Sequence, residues 1–340
     1  AYMVKLDSNG NYNPTDLPIS TNTFSIIGVS SGSNVANVQS CTTDSSGTMY
    51  MAGCYKGYMT ITNQDGAACA NLVTVANTVA FVSKFNSYGS YQYSRIIDTT
   101  STTTKRSQGL GLACDTSGNM YLSGQYENNP IIKNQNGDPL GYLPTSNTAI
   151  YAAFVSKFDS SGVYQYSRLV DGASNDTGYS VALDTSGNIY LGGTCGADSR
   201  VKYASNSNVF SNVAILPSPN IGGAFVSKFD SNGAYQYSRI VYGNNHGLSV
   251  ACDSSGNMYM AGIYVYGGAS NIIKYASNSN VFSNAATLPA SNSSSWAAFV
   301  SKFDSSGTYQ YSRLVDAGGS DYGLSVACDS LNNMYLAGHY

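Results

Sequence analysis

Charged residues are scarce in this 340-residue chain. Asp, Glu, Lys and Arg together make up 10% of it, against about a quarter in ordinary globular proteins. The 16 basic and 19 acidic residues give a formal net charge of −3, and there is no basic run. We therefore expect no binding to nucleic acid, because that binding depends on clustered basic side chains that displace counterions from phosphates.

Residues that commonly carry catalysis are also few. The two histidines, His246 and His339, stand outside any motif, whereas acid–base and nucleophilic catalysis need a base held close to its partner. The seven cysteines show no CxxC spacing, so neither a zinc site nor a redox motif is indicated. We predict no catalytic residue, no metal site and no cofactor, and we predict that the protein is not an enzyme.

Long apolar runs are absent too, so no transmembrane segment is expected. The chain opens with AYMVKLD instead of an initiator Met or a signal-peptide pattern, which suggests a processed or excerpted form. Cys54 and Cys69 are close enough in sequence to suggest a disulfide. Asn175 and Asn292 begin Asn-X-Ser/Thr triplets and are possible glycosylation sites.

Repetition is what the chain has in abundance. The peptide KYASNSNVFSN begins at residue 202 and again at residue 274, an offset of 72 positions. At this period two units alternate, each five times. The first unit is AFVSKFDSSGTYQYSRLVD (298–316), with relatives at 80–98, 153–171 and 224–242 and a degenerate copy at 1–12. The second unit is GLSVACDSLNNMYLAG (323–338), with relatives at 247–262, 178–193, 109–124 and 37–53.

Both units are typical of β-hairpins. In AFVSKF, Phe299 and Phe303 alternate with Val300 and Lys302, which is the period of a strand. The D-S-S-G that follows supplies an Asp to bond the turn backbone and a Gly to take a positive φ. The Tyr-rich TYQYSRLV then returns as the second strand.

Two hairpins per period make a four-stranded antiparallel sheet, and five such sheets predict an all-β fold, a five-bladed β-propeller in one domain, 1–340. The predicted blades are 37–98, 109–171, 178–242, 247–316, and 323–340 together with 1–30. In the last of these, the N-terminal strands would pair with the C-terminal strands and close the ring. The same end strands could instead pair between molecules by strand exchange.

The pattern AFVSKFDSSG…GLSVACDSSGNMYLAG resembles the SBBP-type β-propeller repeat and, more distantly, NHL propeller repeats. The resemblance covers nearly the whole chain and recurs at the right period. It implies a propeller with an extracellular or particle- or cell-surface location, and it transfers no catalytic residues. The first copy departs from the pattern after Asn13, where PTDLPISTNTFSIIG replaces YQYSR, so we expect the closing blade to be the least regular.

Long links between the hairpins should emerge on one face of the propeller, opposite the short turns. Four links carry an extra predicted hairpin, which we call a finger: MTITNQDGAACANLVTV, IIKNQNGDPLGYLP, VKYASNSNVFSNVAILP and IIKYASNSNVFSNAATLP. One interpretation is blade duplication with fingers that cover strand edges. The other is a repeated recognition surface of aromatic and amide side chains. Its candidate residues are Tyr203, Asn208, Phe210, Tyr275, Asn280 and Phe282.

Three function classes remain open at this point. We favour a non-enzymatic surface or extracellular propeller that acts as a structural, adhesive or assembly component, by self-association or with another surface protein. The alternative is a multivalent lectin that binds glycans. A glycosidase or lyase is disfavoured, because it needs acids outside the repeated framework that converge on one site; the non-framework acids are Asp65, Glu127, Asp138 and Asp198.

Overall fold

The computed structural model of the chain is all-β in the part that it describes. That part comprises residues 25–29, 35–63, 67–99, 105–146, 151–205, 210–216, 222–243, 245–265, 272–277, 282–288, 296–317 and 319–340. None of these residues forms a helix long and apolar enough to span a membrane.

The described residues form 25 strands. The first thirteen are β1 (Ser25–Val29), β2 (Val35–Thr43), β3 (Met49–Asn63), β4 (Ala68–Phe85), β5 (Tyr91–Asp98), β6 (Ser107–Cys114), β7 (Met120–Tyr126), β8 (Ile131–Asn134), β9 (Pro139–Tyr142), β10 (Ala152–Phe158), β11 (Tyr164–Asp171), β12 (Thr177–Leu183) and β13 (Ile189–Cys195). The others are β14 (Arg200–Ser205), β15 (Phe210–Ile215), β16 (Gly223–Phe229), β17 (Tyr235–Tyr242), β18 (His246–Cys252), β19 (Met258–Val265), β20 (Ile272–Ser277), β21 (Phe282–Thr287), β22 (Trp296–Phe303), β23 (Tyr309–Val315), β24 (Tyr322–Cys328) and β25 (Met334–His339).

Four successive antiparallel sheets have the same core order, from an inner to an outer strand. These four blades are β2-β3-β4-β5, β6-β7-β10-β11, β12-β13-β16-β17 and β18-β19-β22-β23. The inner strands β2, β6, β12, β18 and β24 contact one another in that sequence. The all-β class and the blade-like antiparallel sheets of the prediction are therefore confirmed.

The turn residues act as the sequence predicts. In each copy of the second unit the Asp accepts hydrogen bonds from backbone N–H groups two and four residues on, as Asp115 does from Ser117 and Asn119, both at 3.0 Å. Gly118 takes φ +76°, a left-handed conformation that glycine adopts without strain. In the last copy Asn332 takes this place with φ 65°. Hydrogen bonds, first of all from the Asn333 side chain, lower the pKa of Asp329.

Hydrophobic residues of neighbouring blades form the core between the sheets. Phe154 of β10, for example, belongs to a fully buried cluster with Tyr50 of β3 and Val82 of β4. Each of the four first-unit hairpins that the structure describes also contains a buried serine pair whose hydroxyl oxygens are 2.7 Å apart. The pairs are Ser83–Ser94, Ser156–Ser167, Ser227–Ser238 and Ser301–Ser312.

Three fingers join the blade that precedes their own. The hairpin β8–β9 pairs with β5, β14–β15 pairs with β11, and β20–β21 pairs with β17. Each finger therefore adds two strands to the outer edge of the preceding sheet, which confirms the edge-covering interpretation. The predicted fourth finger is different, because it continues the long strands β3 and β4 instead of forming a separate hairpin.

The strand β1 pairs with this continuation of β3, with Ile27 opposite Ile61. In the same way, Ile97 of β5 lies opposite Ile132 in the finger of the next blade. By this correspondence β1 occupies the place of the outer strand of a further blade. The strands β24 and β25 form a two-stranded sheet within the described residues, and residues 1–24 lie outside them, so ring closure and the number of five blades stay predictions.

Candidate functional site

The junction between a finger and the preceding blade is built around an arginine. The Arg168 guanidinium lies between the Tyr166 ring, at 4.1 Å, and the Tyr203 ring of the finger, at 4.2 Å. In the next blade Arg239 lies in the same way between Tyr237 and Tyr275, at 4.1 Å from each ring centroid. Cation–π contacts of this kind are strongest where they are shielded from water, and both arginines are buried. We call this arrangement the arginine stack.

The same tyrosines also tie the finger to its own blade. The hydroxyl oxygen of Tyr275 accepts a hydrogen bond from the backbone N–H of Tyr309 at 2.6 Å, and Tyr203 accepts one from Tyr235. Tyr203 and Tyr275 are half-buried. These two candidate recognition residues therefore brace adjacent blades, and their binding of a partner stays a prediction.

The other recognition candidates are placed less fully. Phe210 lies in β15 and Phe282 in β21, and both positions are on the second strand of a finger. Asn208 and Asn280 lie outside the described residues.

A finger lysine adds an ionic contact beside the stack. Lys133 pairs with Asp98 at 2.7 Å, and Lys202 pairs with the buried Asp171. In the following blade an aromatic residue replaces the aspartate, and the Lys274 ammonium lies 3.5 Å from the centre of the Tyr242 ring. Each of the three fingers β8–β9, β14–β15 and β20–β21 therefore meets the preceding blade through a backbone ladder and a lysine contact.

The repeated lysines of the first unit are used within the framework. Lys84 donates to the backbone carbonyl of Ser160 in the next blade at 2.7 Å, and Lys228 donates to that of Ser305 at 3.1 Å. The arginines of the first unit likewise donate through Nε to a turn carbonyl of the next blade; the acceptors are Gly162 for Arg95, Gly233 for Arg168 and Gly307 for Arg239. These charges hold neighbouring blades together, as their repetition indicates.

The non-framework acids show no common site. Glu127 pairs with Lys105 at 3.3 Å, Asp138 accepts a hydrogen bond from Asn134 in the turn of a finger, and Asp198 lies in the link before β14. Asp65 lies outside the described residues. Among the residues that the structure describes there is no group of three or more His, Cys, Asp or Glu side chains that could hold a metal ion.

A second set of residues varies from blade to blade at one position of an otherwise constant repeat. It precedes the first glycine of the GLSVACD unit in the inner strands β6, β12, β18 and β24, and its members are Gln108, Thr177, His246 and Tyr322. The cross-strand partners vary as well; they are Gln125, Thr194, Ile263 and His339. Since β7 and its counterparts end here and lead into the fingers, this arc lies on the finger face. We call these residues the mouth.

Polar contacts connect the mouth residues across blades. The Thr177 hydroxyl donates to Oε1 of Gln125 at 2.6 Å, and Gln125 donates to Gln108 at 2.6 Å. One blade further on, Oγ1 of Thr194 lies 3.3 Å from Nδ1 of His246. Hydrogen bonds therefore link mouth residues of three successive blades, the second to the fourth, and each of these blades contributes different side chains.

A cavity of about 550 Å³ opens at this arc. Its lining includes Asn175, Thr194, Gly196, Asn245 and His246, so amide, hydroxyl and imidazole groups stand beside glycine backbone. Partial burial lowers the pKa of His246 below its ordinary value. The imidazole is therefore neutral at pH 7, and it can both donate and accept a hydrogen bond.

A buried carboxyl lies behind the cavity wall. Asp176 accepts hydrogen bonds from the backbone N–H groups of Gly172 and Gly196, at 2.8 and 2.9 Å, and from the Ser199 hydroxyl at 2.6 Å. Burial raises the pKa of Asp176 to about 7, and the Ser199 and Gly196 hydrogen bonds oppose that rise. The loop that shapes the cavity is thus held by a carboxyl whose charge changes near neutral pH.

The proposed disulfide is not formed. Cys54 and Cys69 are not joined by a disulfide, and they lie at different levels of one long hairpin. Cys54 is opposite Ala80, whereas Cys69 lies between Ala68 and Ala70, which face Thr62 and Ile61. Seven residues of strand separate the two levels, or roughly 23 Å, so spacing in sequence was a poor guide. Asn175 is exposed at the cavity, and Asn292 lies outside the described residues.

Comparison with known proteins supports the propeller assignment. The family model of the SBBP β-propeller repeat matches residues 165–196, which confirms the resemblance. An uncharacterized WD repeat-containing protein of Acanthamoeba polyphaga mimivirus is 24% identical over 173 residues, 46% of this chain and 12% of the relative. A crystal structure of a eukaryotic initiation factor aligns over 83% of this chain and 89% of that one, with 11% identity and a TM-score of 0.19, and this likeness carries no argument.

The chain therefore contains a β-propeller repeat of the SBBP type, at residues 165–196. It spans about an eighth of the length of the mimivirus relative. The sequence pattern predicted the repeated framework and did not predict the mouth. A signal for the mouth was present, because one position of the second unit varies between copies whereas the positions around it are similar.

Proposed function

We propose that this protein is a non-enzymatic interaction scaffold that binds a protein partner through the mouth on the finger face. The observation that carries the proposal is the mouth itself, an arc of differing side chains with a cavity on a repeated frame. Blades of similar sequence give the scaffold a rigid frame. The side chains that differ at one position of the repeat give its binding surface specificity. The WD-repeat relative supports the same class, because repeats of that kind build propellers.

Affinity capture from the native source with cross-linking mass spectrometry tests the proposal. The wild-type chain should recover a partner that cross-links to the finger face, and His246→Ala and Gln108→Ala should each reduce its recovery about tenfold, as hot-spot residues do. Asn212→Ala, an exposed change on the rim strand β15, should leave recovery unchanged. Equal recovery by all four proteins would contradict the proposal.

The amide and backbone groups of the cavity also favour a second candidate, glycan binding. In that case a glycan array should show hits that His246→Ala removes and Asn212→Ala preserves. An array without hits eliminates the lectin, and hits that persist in His246→Ala place it elsewhere on the molecule.

We also propose that the scaffold forms part of an extracellular structure or of a particle or cell surface, where it has a structural or adhesive role. Its low charge and the exposed Asn175 at a glycosylation triplet support this location. Electron microscopy of native material with a labelled antibody should place the protein in a coat, filament or surface layer. Label confined to the cell interior would contradict it.

Ring closure is the last part of the proposal. Residues 1–12 would supply the missing hairpin of the blade that holds β24 and β25, with β1 as its outer strand. By the framework pattern, the Gly10 carbonyl would then accept from Arg313. Cross-linking between Lys5 and the β25 region should occur within a monomer if the ring closes, and between isotopically mixed chains if strands are exchanged.

A further inference from the structure

The cavity beside His246 lies at the junction of the third and fourth blades, and glycines form much of its wall. The corresponding positions of the fourth blade carry side chains. The glycines are Gly196, Gly222, Gly223 and Gly243, and their counterparts in the fourth blade are Val265, Trp296, Ala297 and Ala317. The repeat therefore supplies side chains at one junction and omits them at the other.

The next junction shows which group takes this place. The Trp296 indole lies edge-on to the Tyr322 ring, with the ring centroids 5.2 Å apart and an angle of 82° between the planes. Tyr322 has the mouth position that His246 has one blade earlier. An aromatic ring of the fourth blade therefore packs against the mouth residue that follows it.

The chain supplies no such ring to His246. A Cβ on Gly222 would collide with the Cys195 carbonyl oxygen, and one on Gly196 would collide with the Ser174 side chain, so the backbone is too closely packed here for a side chain. None of the ring contacts that the described residues form involves His246. The space beside this imidazole is therefore open to a ring from another molecule.

The size and the wall chemistry of the cavity suit an aromatic side chain with a polar edge. Its volume of about 550 Å³ is within the range of about 300 to 1,000 Å³ that is usual for ligand pockets. The His246 imidazole offers a ring for an aromatic contact, and Ser174 and Asn175 are exposed lining residues with hydroxyl and amide oxygens. Tryptophan and tyrosine combine an apolar ring with an N–H or O–H donor, and both are enriched among binding hot spots.

We infer that the cavity binds an aromatic side chain of the protein partner, tryptophan or tyrosine, whose ring packs against His246 as Trp296 packs against Tyr322. The donor of that ring then meets the oxygens of Ser174 and Asn175. The inference rests on the proposed function, because it names the group that the partner presents to the mouth.

The probe N-acetyl-L-tryptophanamide tests the inference with the full chain and without the partner. Because the chain has two histidines, NMR of protein with isotope-labelled histidine gives two imidazole signals, and His339→Gln identifies the signal of His246. The probe should shift that signal saturably, through the ring current of the indole. N-acetyl-L-leucinamide, which has no aromatic ring, should bind about tenfold more weakly.

A tryptophan supplied by the chain itself should compete with the probe. Asn175→Trp places an indole at an exposed position of the cavity lining, and it should weaken binding of the probe by about tenfold or more. Asn212→Trp makes the same change at an exposed position of β15 outside the lining, and it should leave the affinity unchanged. Urea denaturation shows that both variants are folded.

Two results with the probe would overturn the inference. One is a His246 signal that the tryptophan probe does not shift, and the other is equal affinity for the tryptophan and leucine probes. In either case the proposed function would stand if Gln108→Ala and His246→Ala still reduced recovery of a partner.

A partner recovered by affinity capture gives a further test. The segment that cross-links to the finger face should contain a tryptophan or tyrosine whose change to alanine reduces recovery about tenfold. A segment in which no aromatic residue has this effect would contradict the inference. Recovery of no partner would contradict the proposed function instead, and the probe then decides whether the cavity binds aromatic rings.

Discussion

The strands β11 and β23 have the same seven residues, YQYSRLV, and different surroundings. In β11 the arginine and the final valine are buried, whereas in β23 both are exposed. In β11 a finger covers the strand edge and its tyrosine completes the arginine stack, and the Gly233 carbonyl of the next blade accepts from Arg168. No corresponding partners of β23 are among the described residues. A repeat sequence therefore sets the hairpin, and the neighbouring elements decide which of its side chains stabilise the fold.

The sharpest way to test this comparison is to remove the same arginine from both strands. Arg168→Ala loses two ring contacts and the hydrogen bonds to Gly233, Ser167 and Ala204, so we expect a loss of about 3 kcal/mol in the free energy of unfolding. Arg313→Ala should cost less than about 1 kcal/mol, because its stack is incomplete and exposed. Urea denaturation measures both values. Equal losses would contradict the comparison.

Turn glycines extend the comparison to the neighbouring blade. A Cβ on Gly307 would lie 2.5 Å from Tyr237 and 2.6 Å from the Arg239 guanidinium, whereas one on Gly256 would lie 3.4 Å from Ser305. Both glycines have a positive φ, +80° and +75°, so the backbone strain of alanine is the same. Gly307→Ala should therefore destabilise the protein by about 2 kcal/mol more than Gly256→Ala. Equal losses of stability for the two variants in thermal unfolding would show that the Gly307 turn does not pack tightly against the arginine stack.

The smallest expected effect concerns pH. Because burial raises the pKa of Asp176 to about 7, the folded state binds more protons than the unfolded state between about pH 4 and pH 7, and stability falls as the pH rises through that window. Asp176→Asn does not titrate. The Asp176→Asn protein should therefore be less stable than the wild type at pH 5, and this difference in the free energy of unfolding should decrease by about 1 kcal/mol or more between pH 5 and pH 8. A difference that is constant or grows with pH would contradict the assignment.

The sequence was sufficient for the hairpins, because their turn residues and alternation act locally: Asp115 and Gly118 form the predicted turn. It was insufficient for the docking of the fingers, because strand addition uses backbone groups that every residue has. The pairs Lys133–Asp98 and Lys202–Asp171 were a visible but unassigned signal. The mouth residues that contact one another come from different blades, as Thr177 and Gln125 do, so no linear motif contains them.

The arginine stack joins the fingers β14–β15 and β20–β21 to the blades that precede them. A double-mutant cycle with Arg168→Ala and Tyr203→Ala measures the coupling energy of this contact directly. The pair Arg313→Ala and Tyr203→Ala serves as the reference. We predict a coupling energy of about 1 to 2 kcal/mol for the first pair and none for the second. Additive effects in both pairs would contradict it.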